Sequence, residues 1–326
     1  MKKKKKVIAY ILLITLIFAI LILKENIFSN NENKVYNISI ITRGKMNESR
    51  RIMKSGAEQA ASEVNANIKF ISLSKENSIE EQIENIKKEI SNEADAILID
   101  PADYEELREV IEKTNKDKPV VLIDSDISGK HKINKVSCDN YALGVDLARE
   151  ILNHQVKDEK VVVVRNGLNC SRIKERYDGF IDTMKKSNNT ILYWDMSDEE
   201  SEKYYSQAKS FLQYNSVDSI VTFDSYILQN IGEAKRSLNA EGSDTECSIK
   251  LYGAGSDSKI ISLLENRQIT AIATENEFNI GYLGVKNAVD KISGKKIEDN
   301  TIRSTVINSD NMYSKENQRL LFSFVK

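Results

Sequence analysis

The sequence predicts an α/β protein made of two lobes with parallel sheets, preceded by one N-terminal transmembrane helix. Three observations carry this. Short apolar runs alternate with amphipathic stretches from Tyr36 to Ala273, the pattern of parallel strands joined by crossover helices. Ala96–Ile99 and Val120–Ile123 are apolar at every position, as strands buried on both faces of a parallel sheet are. The chain also opens on five consecutive lysines followed by seventeen uncharged residues.

That uncharged run, Val7–Leu23, is about 26 Å long as a helix, slightly short of a ~30 Å hydrocarbon core. Lys6 and Lys24 can extend it by reaching toward the headgroups at either end. It is long for a cleaved signal, and Lys24-Glu25-Asn26-Ile27-Phe28 offers no small-x-small cleavage site. A lipoprotein signal needs a cysteine just after the run, and the first cysteine is Cys138. The expectation is an uncleaved single-pass anchor. Lys2–Lys6 place the N-terminus in the cytoplasm and the body outside, with Glu25–Lys34 as a polar tether.

Ile38–Ile41 is the first strand, closed by a polar break at Arg43-Gly44. Met53, Ala57, Ala60, Ala61 and Val64 then mark one face of a helix. Ile68–Leu73 is the second strand. Ile79, Ile83, Ile86 and Ile90 follow at helical spacing. In the second half, strands are expected at Val161–Val164, Ile191–Trp194, Ser219–Phe223, Ile249–Tyr252 and Ile269–Ala273. Leu143, Leu147 and Ile151, and Ile227, Ile231, Ala234 and Leu238, mark helices there. The count is about ten strands, too many for an eight-stranded barrel and more than one open sheet usually holds. Two sheets are the simpler solution, and 326 residues suit two domains of about 150. The natural division lies near Lys135–Asp139, after the polar stretch Asp126–Asn134.

Composition excludes several functions. Lys+Arg is 47 and Asp+Glu is 49, a net charge of −2; without Lys2–Lys6 the balance is 42 against 49, or −7. An acidic body lacks the basic face that nucleic acid requires. Three cysteines, Cys138, Cys170 and Cys247, form no CxxC pair, which argues against a disulfide framework or a cysteine-rich metal site. His131 and His154 are the only histidines; both read as surface residues and leave little material for histidine catalysis or a metal centre. No cofactor is expected. Gly253-Ala-Gly255 lacks the third glycine of a dinucleotide loop, and P-loop, GxSxG and HExxH motifs are absent.

In open α/β sheets, ligands lie beyond the carboxyl ends of the strands. Those ends offer Asp100, Asp124-Ser125-Asp126, Arg165-Asn166, Asp195, Asp224-Ser225, Gly253–Asp257 and Thr274-Glu275-Asn276. An ionised carboxylate accepts pairs of hydroxyl hydrogens, so a polyol suits such a row. The alternative role of each Asp is to cap the following helix. Acids outnumber nearby arginines, which favours a neutral or cationic ligand over an anionic one. Asp124 and Asp224 could also face each other as the carboxylate pair of a glycosidase. Trp194 could stack on a sugar, but core filling is the simpler role.

The order of these features resembles the type I periplasmic binding proteins, in particular the ribose-binding-like sugar receptors, over about Val35–Val325. The landmarks are Met46-Asn-Glu-Ser-Arg-Arg-Ile-Met-Lys-Ser-Gly-Ala57, Ala96-Ile-Leu-Ile-Asp-Pro101, Lys118-Pro-Val-Val-Leu-Ile-Asp124, Val136-Ser-Cys-Asp-Asn140, Lys174-Glu-Arg-Tyr-Asp-Gly-Phe180 and Ala271-Ile-Ala-Thr-Glu-Asn276. The resemblance implies two Rossmann-like lobes joined by a three-crossing hinge. The N-terminal lobe would comprise 35–136 plus 276–300 and the C-terminal lobe 139–273 plus 304–326, after an anchor and tether over 1–34. It implies a non-enzymatic receptor that closes on a small neutral sugar or polyol. By position, Asn47, Asp100 and Asp124 would hold hydroxyls from the first lobe, Arg176 and Asp224 from the second, and Glu275 would bridge the hinge.

The chain also departs from the family pattern. Ser49 and Arg50 stand where ring-stacking aromatics are usual, so Arg50 joins the candidate site. Ser125 replaces an Arg, and the late Asp is displaced to Asp257. These departures leave the sugar open among pentoses, hexoses and furanosyl molecules. A membrane partner is implied, either a sensor histidine kinase or an ABC permease. A repressor of the same fold would need a DNA-binding headpiece where the apolar run stands.

Overall fold

The structure is a computed structural model that describes residues 15, 34–129, 132–154, 157–167, 169–240 and 247–322. The lysine block, the apolar run Val7–Leu23 apart from Thr15, His131 and the last four residues lie outside these. Among the described residues no helix is long and apolar enough to cross a membrane.

The first sheet comprises β1 (Tyr36–Ile41), β2 (Ala66–Ile71), β3 (Ala96–Ile99), β4 (Val120–Ile123), β5 (Lys135–Cys138) and β11 (Asn300–Ile302). Its order is β11-β5-β4-β3-β1-β2, all parallel. The second sheet comprises β6 (Lys160–Arg165), β7 (Thr190–Asp195), β8 (Ser219–Thr222), β9 (Lys250–Ala254), β10 (Ala271–Thr274) and β12 (Thr305–Asn308). Its order is β12-β10-β9-β8-β6-β7, with only β12 antiparallel. The chain passes between the sheets after β5, after β10 and after β11.

Helices cover both faces of each sheet. In the first lobe these are α1 (Glu48–Glu63), α2 (Ile79–Ser91), α3 (Arg108–Asp117) and α9 (Glu277–Ile292). In the second they are α4 (Asn140–His154), α5 (Ser171–Met184), α6 (Tyr204–Tyr214), α7 (Ser225–Ala240), α8 (Ser258–Glu265) and α10 (Lys315–Leu321). The all-apolar runs are buried at every position, as their sequence requires. The α1 stripe Met53, Ala57, Ala60 and Ala61 is buried as well.

Twelve strands among the described residues exceed the ten expected. β5, β11 and β12 are short, and half or more of the residues in each are polar; the alternation signal needs more residues than these supply. Val136–Asn140, which resembles a hinge and the start of the second lobe, comprises the end of β5 in the first sheet and the first residue of α4. β2 starts two residues before the expected Ile68, because its outward positions are polar. Trp194 stacks on Phe211 with ring centroids 4.2 Å apart and packs on the core of the second lobe, as expected of a core residue. His154 is exposed at the end of α4 beside Glu150.

One close approach bears on the site. α4 and α5 touch backbone to backbone at Gly144 and Gly179. A Cβ on Gly144 would overlap the carbonyl of Arg176, and one on Gly179 would overlap that of Tyr141. Overpacking a rigid contact costs about 1–3 kcal/mol. Gly144→Ala is therefore expected to lower the unfolding free energy by that amount in urea titration, and to weaken any function that depends on the placement of Arg176.

Candidate functional site

A cavity of about 400 Å³ lies between the lobes, at the carboxyl ends of both sheets. Its size is that of a small-molecule pocket. From the first lobe it is lined by residues that follow β1 through β4 and by Glu277 at the start of α9. From the second lobe come α5, the segments after β8 and β9, and Glu275 at a crossing. All seven residues expected from sequence, Asn47, Arg50, Asp100, Asp124, Arg176, Asp224 and Glu275, line it.

Their tasks differ. Asn47 caps α1, its Oδ1 accepting from the Arg50 N–H at 2.9 Å. Asp224 caps α7, accepting from the N–H groups of Tyr226 at 2.9 Å and Ile227 at 3.1 Å. The capping role is therefore realised for these two. Arg50 donates from Nη1 and Nη2 to Glu76 at 3.1 and 3.2 Å and also to the Lys45 carbonyl. An ion pair thus occupies the wall where ring-stacking side chains were missing from the sequence.

Asp100, Asp124, Arg176 and Glu275 belong to a buried ionic lattice completed by two residues the sequence reading passed over, Arg43 and Arg172. Arg43, on the first lobe, sits 3.7 Å from Asp100 and reaches across to Asp224 at 3.9 Å. Arg172, on the second lobe, reaches back to hydrogen-bond Asp124 and lies 3.6 Å from Glu275. Arg176 donates to Glu275 at 2.8 Å, to Asn140 at 2.8 Å and to the Phe223 carbonyl at 3.3 Å. Signals for both missed residues were present. Arg172 precedes Arg176 by four residues, one helical turn, so the two share a face. Arg43 follows the end of β1, where the strand-end rule applies. By contrast, Arg165 and Asp195 pair with each other at 2.7 and 2.6 Å and do not line this cavity.

The backbone at Asp124 is strained. Its φ is +65°, and Ser125 N–H bonds to the Ile123 carbonyl at 2.7 Å, closing a three-residue γ-turn around it. Positive φ is uncommon outside glycine, and Asp is among the residues that tolerate it best. The turn directs a carboxylate that is 2% exposed toward the opposite lobe. Such strain persists where the surroundings enforce it, which is characteristic of ligand sites.

Burial pushes the Asp124 carboxyl up to about 7, against the pull of Arg172 and with help from Glu275 and Asp100. Burial would likewise raise Glu275, but Arg176 and Arg172 outweigh it and hold that carboxyl below its usual range. Glu277 is raised well above its ordinary value by burial and by the neighbouring Glu275 and Asp124. Burial disfavours charge on Arg172 and Arg43, yet surrounding acids keep both above the usual arginine value.

A carboxyl raised on folding stabilises the protein fully below its unfolded value, near 3.8 for Asp124, and loses that contribution as pH rises through the folded value. The expected outcome is a stability that increases by up to about 1.4 kcal/mol per pH unit as pH falls from 7 to 5. Glu277, also raised on folding, adds to this trend, and Glu275, lowered on folding, opposes it as pH falls below its unfolded value of 4.5. Asp124→Asn should flatten the slope, read from urea midpoints across pH.

Counting charges, the cavity is lined by Arg43, Lys45, Arg50, Arg172, Arg176 and Lys259 against Glu76, Asp100, Asp124, Asp224, Asp257, Glu275 and Glu277. The acid excess expected from sequence shrinks to one, because Arg43 and Arg172 were not counted. Six buried atoms at the cavity have no hydrogen-bond partner among the described residues. They are Arg43 Nε, Arg172 Nε, Asp100 Oδ1, Asp124 Oδ1, Glu275 Oε2 and Glu277 Oε2. Buried polar groups normally find partners, and this set places donors and acceptors side by side.

Comparison with known proteins gives the architecture a family. The description "periplasmic binding protein domain" matches residues 38–296, most of the chain. The chain belongs to the periplasmic binding proteins. Among curated proteins, the ribose import binding protein RbsB of Bacillus subtilis (strain 168) is 23% identical over 248 residues, 76% of this chain and 78% of its own. Among solved structures, a carbohydrate transporter solute binding protein from Agrobacterium radiobacter, in complex with D-arabinose, superposes with TM-score 0.80. It is 20% identical, with 89% of this chain and 100% of that one covered. A XylFII–LytSN complex matches with TM-score 0.74 at 24% identity, covering 85% and 99%. At these identities, the solved proteins share the fold of this chain.

Proposed function

We propose that this protein is an extracytoplasmic receptor whose lobes close on a neutral sugar or polyol. The observation that carries the reading is the inner cavity: charges nearly balanced, with buried donors and acceptors side by side and unpartnered. A phosphate or carboxylate would meet Asp100, Asp124 and Glu275 at close range. An ammonium group would meet three buried guanidinium groups. A hydroxyl both donates and accepts and serves both sets. RbsB and the arabinose-bound protein agree with this reading by name. A thermal-shift screen of D-ribose, D-arabinose, D-xylose, D-galactose and myo-inositol, each beside a phosphorylated or amino analogue, tests it. Stabilisation by a neutral member alone is expected; stabilisation only by charged analogues overturns it. The glycosidase alternative fares worse, because Asp224 spends its carboxylate on capping α7 and Asp124 is held by Arg172.

We further propose that Val7–Leu23 anchors the protein and that it informs a membrane sensor rather than feeding a permease. A tether of about ten residues keeps the body within a few tens of ångströms of the bilayer, which favours a standing complex by raising local concentration. XylFII, a protein of this fold, forms a complex with a separate chain, LytSN. The full chain is expected to stay in the pellet after alkaline carbonate extraction. A soluble product starting near residue 30 contradicts the anchor. Deleting the gene should abolish sugar-induced transcription while uptake continues; the reverse result assigns the protein to transport, in the manner of an ABC substrate-binding component.

A further inference from the structure

Two helices meet end to end across the mouth of the cleft: α1 of the first lobe and α8 of the second. A helix start carries N–H groups with no partner inside the helix, and the residue just before it normally accepts from one of them. Asp257 occupies that position for α8 but takes no hydrogen bond from its own helix. The α8 start is served instead by Glu48, the first residue of α1 on the other lobe. Glu48 accepts the Ser258 N–H at 2.8 Å on one oxygen and the Ser258 hydroxyl on the other.

We propose that the first lobe lends a helix cap to the second through Glu48 and Ser258, and that this borrowed cap is a latch favouring the closed protein before any ligand enters. Opening the lobes breaks the cap and returns its groups to water. Neither Glu48 nor Ser258 lines the cavity, so the latch acts on the open–closed balance rather than on ligand contacts. Since apparent affinity scales with the fraction of closed protein, the latch also sets sensitivity to any ligand that binds the closed form. The inference does not depend on what the ligand is. A cap of this kind is worth a population ratio of about fivefold.

The test uses the full chain, solubilised, with no sugar added. Nitroxide labels are placed on exposed positions of the two helices, Glu58→Cys and Ser262→Cys. Cys247→Ser is included because Cys138 and Cys170 are buried while Cys247 is partly accessible. Electron–electron distance distributions are expected to contain a short, closed population. Glu48→Ala and Ser258→Ala should each lower the closed-to-open ratio about fivefold, with Glu48→Gln between them and the parent. Thermal melts check that the variants fold. Distributions identical in parent and Glu48→Ala overturn the proposal, and so does a parent that is wholly open without sugar.

Discussion

Arg172→Ala is expected to cost about 3–5 kcal/mol of folding stability above pH 8, the penalty of leaving a buried carboxylate without its partner. Asp124 is 2% exposed, and Arg172 is its hydrogen-bonded counter-ion. The cost should shrink on acidification, because Asp124 already titrates near 7 with Arg172 present. Removing the cation raises the folded value further, so protonation relieves the variant at pH 6. The pairing can be separated from the packing with Arg172→Met/Asp124→Leu, which replaces the ion pair by apolar volume. That double variant should recover most of the lost stability while binding no sugar. Urea titrations at pH 6 and pH 8.5 measure both effects. An Arg172→Ala cost independent of pH would mean that Asp124 is not the group left behind.

Asp124→Ala should weaken sugar binding about ten- to hundredfold or more, since a charged hydrogen bond is worth roughly 1.5–3 kcal/mol. The γ-turn makes the effect specific to the carboxylate. Asp124→Asn keeps a side chain that tolerates φ of +65° but presents one acceptor in place of two. It should bind between the parent and Asp124→Ala. Arg176→Ala should lower affinity too, partly by freeing Glu275, to which it donates at 2.8 Å.

The sequence made the wholly apolar and striped elements legible because their chemistry is redundant. Four apolar residues in a row at Ala96–Ile99, or an α1 stripe of Met53, Ala57, Ala60 and Ala61, leave little freedom in how they are buried. β11 and β12 have three and four residues and are strands only because two sheets offer edges for them to join. That is a tertiary fact, with no local signature. At the site, position was legible and partnership was not. The strand-end rule pointed to Asp100, Asp124, Asp224 and Glu275, the family resemblance added Asn47, Arg50 and Arg176, and all seven line one cavity, but neither could say that Asp124 would pair with Arg172 rather than Arg176. That choice depends on which turn of α5 faces the opposite lobe, set by the glycine contact between α4 and α5. Nor could either show that Asn47 and Asp224 serve as caps, since an Asp or Asn after a strand suits either task.

The claim at the centre of this account is that a neutral polyol satisfies the buried donors and acceptors between the lobes. Isothermal titration of the protein with the best sugar from the screen, beside that sugar's phosphate and its amino analogue, tests it most directly. The account predicts saturable one-to-one binding of the neutral sugar, lost or sharply weakened in Asp124→Ala, with both charged analogues at least tenfold weaker. Equal or tighter binding of a charged analogue, or neutral-sugar affinity unchanged by both Asp124→Ala and Arg176→Ala, would contradict it.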